Sequence, residues 1–562
     1  MTPAPHSDAS RDSSRAFHLV AVATIAALSL LLYLPYLSAP TLFDDKLFFS
    51  GRHFGYYATH PLGLTLRAPA YFTLAVTQVL DGSIVGHRIV SLSLHIACAV
   101  ALYAVAYSLL RIAGKASSCP DAAPRAAMAA AVAAALFAVH PVAVYGAAYL
   151  VQRTIVLATL GSLLSLLFFV RGLETRRYAW AVWAGVAYSL AVLSKEHAVM
   201  LPIVVLVSFA ITDAPRPFAL RYAALYGASC VPAGALVVAL STWLIGGAYE
   251  PAFAGIASQI EAVFGLTAAD LTWPLSVATQ AGLFFRYAAL WLWPDASRMS
   301  IDIRVDFLQG LAVGWQVAKA IGFAGALAAG VYLLRRGGAW AVAGFGVCYM
   351  AVLFLIEFST LRFQEPFVLY RSYLWGPGML LVIAAALYQL KPRHAAVAAL
   401  VIVPVVAFQA NDRLHTFQHP LQLWEDAVSK LPSKTVPWGS RTLYNLGREY
   451  LYADRPDDAI AVTETCIKRY PGTFQCVFAR ASVSLHLGRY EEALSYMSRA
   501  LALQPDEGVA HHHMGVILEK LGREQAAIEH YRRAYDLGFT AAELQLQRVR
   551  AAKAAYSSAV AR

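Results

Sequence analysis

The sequence predicts an all-α protein, with a polytopic membrane domain of about eleven transmembrane helices followed by a soluble α-solenoid. Three observations predict it. First, 59% of the 562 residues are hydrophobic and only 14% charged, with a mean hydropathy of +0.54. Soluble domains carry about 25% charged residues, so a water-soluble globular enzyme is excluded. Second, the charges are unevenly placed. Residues 1–410 hold 26 Lys+Arg and 17 Asp+Glu, whereas residues 411–562 hold 19 and 17, an ordinary soluble density. Third, a 34-residue period runs from about residue 440. The 12% aromatic content and six cysteines also exclude a disordered chain and a disulfide scaffold.

After a cytoplasmic tail, 1–16, apolar runs long enough to cross a bilayer lie near 17–39, 86–110, 126–140, 148–170, 178–194, 198–212, 222–247, 310–334, 340–357, 373–390 and 395–410. The first is expected to remain as an anchor. Its apolar run is too long for a signal peptide, and Pro40 follows Ser38-Ala39 where cleavage would fall. With the N-terminus in the cytoplasm, the inner loops hold 14 positive residues, including Arg111, Lys115, Arg176, Arg335 and Arg393, against five acids. The outer side and the spans are balanced, so the positive-inside rule favours this orientation. The segment 279–294 reads as an interfacial or re-entrant helix with Trp291 and Trp293 at headgroup level. An odd number of spans places the C-terminal domain in a periplasm or lumen.

The outer loops 40–85 and 248–309 belong to this membrane domain, 17–410; a linker, 411–439, leads into the repeats at 440–562. Gly447, Ala481 and Gly515 are in phase, as are Ala459, Ala493 and Ala527, and Cys466, Ala500 and Ala534. Small residues at such places let the two helices of a hairpin approach closely, and Pro471 and Pro505 close the first two repeats. Leu446-Gly447, Tyr450, Ala459 and Pro471 together resemble the tetratricopeptide pattern. The third repeat has Phe539 where proline is expected, and 541–556 is expected to cap the array. His511-His512-His513 reads as a solvated or packing run, because adjacent helical positions point in different directions. Cys466 and Cys476, ten apart, could pair in an exported domain, although Cys466 occupies a position that packs a small residue.

Ionisable residues concentrate on the outer side, where burial makes them functional candidates. Asp44 and Asp45 follow the first span closely, so their mutual repulsion calls for a partner or a raised pKa. Lys46, Arg52 and Arg67 are candidate partners. Taken alone, the pair also reads as a solvated loop start. Similar depths hold His87-Arg88, His140, Gln152-Arg153, Lys195-Glu196-His197, Glu357, Arg362, Glu365 and Tyr370-Arg371. Each alone is compatible with a cap or an interfacial ion pair; together they describe a charged cleft opening outward. His95, within the second span, reads as a helix contact. No His/Cys spacing marks a tight transition-metal site.

FDDKLFF at 43–49, GHRIVSLSLH at 86–95, LFAVHPVAVYGAAYLVQR at 136–153, LAVLSKEHAVMLP at 190–202 and VLYRSYLWGP at 368–377 occur in an order similar to the C-type (GT-C) glycosyltransferases. ANDRLHTF and LWEDAVSKLP, within 410–432, then lead into the repeats. The chain most resembles the branch with a C-terminal repeat array, the transmembrane-and-tetratricopeptide O-mannosyltransferases and related bacterial proteins that glycosylate pilins. The resemblance implies a polyprenyl-phosphate sugar donor, a protein acceptor (pilin-like in some relatives) and a bacterial inner membrane, with no nucleic-acid partner. It assigns the catalytic carboxylate to Asp44 or Asp45. Phosphate is a good leaving group, so one general base suffices for inverting displacement, unlike the two carboxylates of glycoside hydrolysis. Arg371, Lys195 and Arg67 are the expected phosphate ligands. Glu196, His87, Arg88, His140, Arg153, Glu365 and Tyr370 line the expected cleft, and a weakly bound divalent cation at Asp44 is left open. Two other readings compete. One is a non-enzymatic repeat scaffold anchored by the spans, which leaves so many spans unexplained. The other is a transporter, for which duplicated halves and midplane charges are missing.

Overall fold

The computed structural model describes residues 6–50, 53–60, 63–115, 121–242, 268–305, 313–362, 365–433 and 435–548. Arg52, the whole 248–267 stretch and the end of the expected capping segment lie outside them. The described residues form helices and turns without extended strands. The chain divides into two units, one of residues 1–301 and 307–419, the other of 302–306 and 420–562.

In the first unit seven helices are long and apolar enough to cross a membrane: Ser14–Tyr36, Ile84–Lys115, Leu150–Thr175, Arg216–Ser241, Gly314–Arg336, Gly338–Phe358 and Pro392–Thr416. The pair Ala122–Ala138 and Pro141–Ala147 makes an eighth if counted as one span bent by 61°. The bend has a sequence cause. Pro141 cannot donate to the helix before it, and the His140 side chain caps the next segment by accepting from the Val142 N–H at 3.3 Å. The predicted spans 178–194, 198–212 and 373–390 correspond to shorter apolar helices, Ala179–Ser194, Glu196–Ile211 and Gly376–Tyr388. Small residues bring the core helices together, as where Gly346 and Gly378 each face the other's carbonyl at a distance no Cβ would permit. Helices at the periphery instead expose Leu220, Val231, Ile321, Leu400 and Phe408, as expected of lipid-facing positions.

The 279–294 segment belongs to a 25-residue helix, Ala268–Leu292, that follows the 358–372 segment along its length. Trp273 Nε1 donates to the Phe358 carbonyl at 2.9 Å, Gln280 Nε2 to the Pro366 carbonyl at 2.8 Å, and Trp291 Nε1 to Ser372 Oγ at 3.0 Å. Trp291 is therefore buried instead of sitting among headgroups, its ring stacked at 4.4 Å on His140. Trp293 is 81% exposed, as a belt residue would be.

The second unit is a stack of helical hairpins: Gly439–Tyr452 with Pro456–Arg469, Phe474–His486 with Tyr490–Leu503, and Gly508–Lys520 with Glu524–Asp536. A helix, Pro420–Ser429, precedes them within the expected linker, and 541–548 continues helically after them. The in-phase residues Ala459, Ala481, Ala493 and Ala527 are fully buried between helices. Cys466 and Cys476 form a buried disulfide. The three histidines pack: His513 stacks on Phe478, and His511 Nδ1 meets His530 Nδ1 at 2.9 Å. Residues 302–306 join this unit, with Thr442 Oγ1 donating to Asp302 at 2.9 Å.

Candidate active site

The two first-loop aspartates occupy different environments. Asp45 is fully buried, and its carboxylate accepts the Val151 N–H at 2.8 Å and the Leu42 N–H at 3.4 Å. Burial pushes its pKa up to about 7, although those N–H groups and nearby Arg88 oppose the shift. Asp44 opens the Asp44–Ser50 helix, is only half-buried, and donates its backbone N–H to the Tyr149 hydroxyl at 3.0 Å. Phe43, immediately before it, sits in the left-handed region at φ +46. Non-glycine residues avoid that region, so the turn is held by its surroundings.

Arg88 explains part of that constraint. Its guanidinium donates to the carbonyls of Ala39 at 2.9 Å, Pro40 at 2.7 Å and Ala148 at 2.8 Å, tying the end of the first predicted span to the start of the fourth. Arg153 is equally occupied, donating to Ser91 Oγ, Thr77 Oγ1 and the carbonyls of Thr73 and His87 at 2.7–3.2 Å. His87 pairs with Gln78 at 3.0 Å, and His140 lies against Trp291. These four expected cleft residues frame the site without joining its charge cluster. His95 bridges the Tyr373 hydroxyl, at 2.6 Å, and the Ala138 carbonyl, at 3.0 Å, as a helix contact would.

The cluster forms where the segments around Arg67, residues 195–197 and residues 357–371 meet. Arg67, also left-handed at φ +67, makes a bidentate pair with Glu196 at 2.7 and 3.1 Å. His197 lies between two carboxylates, 3.4 Å from Glu196 and 3.2 Å from Glu357, at ion-pair distance but not aligned for hydrogen bonding. Glu357, 1% exposed at the end of an apolar helix, is also 3.2 Å from Arg362 and 3.4 Å from Arg371. Arg371 reaches Glu365 at 3.5 Å and donates to the Glu365 carbonyl at 3.0 Å. Expected site residues Arg67, Lys195, Glu196, Glu365, Tyr370 and Arg371 are thus brought together, with His197, Glu357 and Arg362 completing the network. Glu357 carries the clearest sequence signal of those three, being a lone carboxylate closing an apolar run.

Lys195 is the exception within the cluster. It is 5% exposed, and among the described residues its ammonium makes no hydrogen bond or ion pair. Burial lowers its pKa to about 7; Arg67, Arg371 and Arg362 add to the shift and Glu196 opposes it. Among the described residues four cations, Arg67, Lys195, Arg362 and Arg371, therefore stand with three carboxylates, Glu196, Glu357 and Glu365. Tyr370 joins this cluster to the first loop. It lies within electrostatic reach of Asp44, Glu365, Arg371 and Arg67, and its ring meets that of Tyr149 edge-on at 6.1 Å. Among the described residues no group of three His, Cys, Asp or Glu side chains is placed to hold a metal ion.

Comparison with known proteins adds to this geometry. No curated protein matches the chain. Among solved structures, MamA shares 20% identity over 25% of this chain and 81% of its own, with a TM-score of 0.21. YrrB, "a TPR protein with an unusual peptide-binding site", shares 17% identity over 29% of this chain and 82% of its own, also at 0.21. Residues 444–508 and 509–537 match tetratricopeptide repeat families. Residues 123–245, which include the bent helix pair and Lys195-Glu196-His197, match the dolichyl-phosphate-mannose-protein mannosyltransferase family, so the chain joins a mannosyltransferase-like glycosyltransferase segment to tetratricopeptide repeats.

Proposed function

We propose that the protein is a membrane glycosyltransferase that moves a sugar from a polyprenyl-phosphate donor to an acceptor hydroxyl on a protein, at the outer face of the membrane. The observation that carries this reading is the buried Lys195, which among the described residues makes no ion pair, lying among Arg67, Arg362 and Arg371 and joined through Tyr370 to the half-buried Asp44.

In the proposed reaction Asp44 takes the acceptor O–H proton as the oxygen attacks the anomeric carbon. The bond from that carbon to the phosphate oxygen breaks, its electron pair leaves with polyprenyl phosphate, and the configuration inverts. The donor is a phosphodiester with one negative charge, and the departing monoester gains a second. An ammonium without a ground-state partner suits that developing charge, because an interaction stronger in the transition state accelerates the step. Arg67 and Arg371 are held by Glu196 and Glu365, which fixes their direction and leaves further N–H donors for phosphate oxygens. Asp45, bound to two backbone amides, positions the turn that presents Asp44. The repeats present the protein acceptor, pilin-like or otherwise, and the site faces the periplasm of a bacterial inner membrane.

The test is sugar transfer from a polyprenyl-phosphate donor by the purified full-length protein. Asp44→Asn should lower kcat by about 10²–10⁴-fold, the usual contribution of a general base, with donor binding retained. Full activity in both Asp44→Asn and the Asp44→Asn/Asp45→Asn double variant would remove the assigned base.

A further inference from the structure

A second basic pocket lies outside this cluster, at the C-terminal end of the Ala268–Leu292 helix. It has a volume of about 610 Å³ and is lined by Arg286, Ala289, Leu290, Trp293, Asp295 and Arg298. Arg298 pairs with Asp295 at 3.0 Å. The Arg286 guanidinium lies 4.5 Å from the centre of the Phe367 ring and, among the described residues, has no carboxylate partner and no hydrogen bond. Two arginines against one aspartate leave a net positive charge beside apolar walls.

Its level is marked by the ends of two membrane-spanning helices. The Ala296 N–H donates to Gln409 Oε1 at 3.0 Å, near the end of the Pro392–Thr416 helix. Two residues further along that helix, Asn411 accepts from the Tyr36 hydroxyl at 2.8 Å, at the end of the first span. Next to the lining residues in the chain, large apolar side chains are exposed: Phe285 is 43% exposed, Leu292 57% and the lining Trp293 81%. A free soluble anion has no use for such a surface, whereas acyl chains do. Tryptophan at headgroup depth beside arginines is the arrangement that holds an anionic lipid at the interface.

We propose that this pocket binds the phosphate headgroup of an anionic phospholipid, with Arg286 and Arg298 on the phosphate and Trp293 against the glycerol and upper acyl chain. The proposal does not depend on the glycosyltransferase reading. Phosphate could also come from free phosphate or from a polyprenyl phosphate, so the test separates the three sources. Full-length protein in detergent is loaded with phosphatidylglycerol or phosphatidylcholine, and retained lipid is counted by native mass spectrometry. Phosphatidylglycerol should be retained in preference. Arg286→Gln/Arg298→Gln should weaken that retention by roughly fivefold for each arginine removed. Trp293→Ala and Arg298→Gln, both at exposed side chains, should each weaken it without lowering the thermal midpoint, which keeps the test open should the double variant fail to fold. Equal retention of the two lipids, or unchanged retention in all three variants, would overturn the proposal. So would displacement of phosphatidylglycerol by millimolar inorganic phosphate, or stronger retention of polyprenyl phosphate that these substitutions abolish.

Discussion

Lys195 connects residue chemistry to a pH profile. Its ammonium is buried among arginines, and its pKa falls to about 7 where an exposed lysine would stay protonated beyond pH 10. Below about pH 7 the free enzyme carries the extra positive charge, and above it that charge is lost. A phosphodiester donor does not titrate in this range, so kcat/KM, which reports free-enzyme groups, should fall as pH rises through about 7. Lys195→Arg keeps its charge across that range and should abolish the fall, although the planar group will fit the pocket less well and lower the plateau. An unchanged alkaline limb in Lys195→Arg would mean that another group titrates. The sequence exposed this residue's type and rough depth, because a Lys-Glu-His run between apolar segments stands out. It could not separate Asp44 from Asp45, since adjacent carboxylates look alike until one is seen to accept two backbone amides. It gave Arg371 to the donor phosphate and Arg88 and Arg153 to the lining of the cleft, without their partners. The structure supplies those partners: the Arg88 and Arg153 donors end on carbonyls and hydroxyls, whereas Arg371 faces two carboxylates.

Helices meet where side chains permit, and the repeat array shows how tightly. A Cβ on Gly515 would lie 2.6 Å from two ring carbons of Tyr531, which is fully buried and whose hydroxyl donates to Glu519 at 2.9 Å. The ring cannot shift without breaking that bond or opening the hairpin. Gly515→Ala should therefore destabilise the third repeat by about 1–3 kcal/mol, the usual cost of overpacking a core. At the in-phase Gly447 the nearest atoms are methyl carbons of Thr463 and Val462 at 3.0 and 3.2 Å, and Gly447→Ala should cost less. Hydrogen exchange over 508–536 and 439–469 measures both; equal protection in the two variants would contradict this ranking. The 34-residue period made this packing legible, because a solenoid repeats its contacts with its sequence. The Ala268–Leu292 helix was legible only in part, as an interfacial or re-entrant segment at 279–294. Its burial of Trp291 depends on the 358–372 segment, some 80 residues away, and no local pattern reports such a contact.

Across the whole chain, long-range pairs constrain which loops share a side of the membrane. Arg67, Glu196 and Glu357 belong to segments that follow the predicted first, fifth and ninth spans, and their ion pairs place those three segments together. The Tyr36–Asn411 bond adds the end of the last span to that side. Arg111 and Glu174, at the ends of the predicted second and fourth spans, pair with each other. Odd-numbered ends thus meet odd and even meet even, as an alternating path of spans requires. We propose that the side holding Arg111, Lys115, Arg176, Arg335 and Arg393 faces the cytoplasm, since the positive surplus lies there. The expected outcome is that alkaline phosphatase fused after the repeats is active while a cytoplasmically folding fluorescent protein fused there stays dark. Cys466 and Cys476 should then resist alkylation until reduced, as a disulfide formed in an oxidising compartment would. A fluorescent C-terminal fusion would invert the topology and place Asp44, Lys195 and the whole charge cluster on the cytoplasmic face.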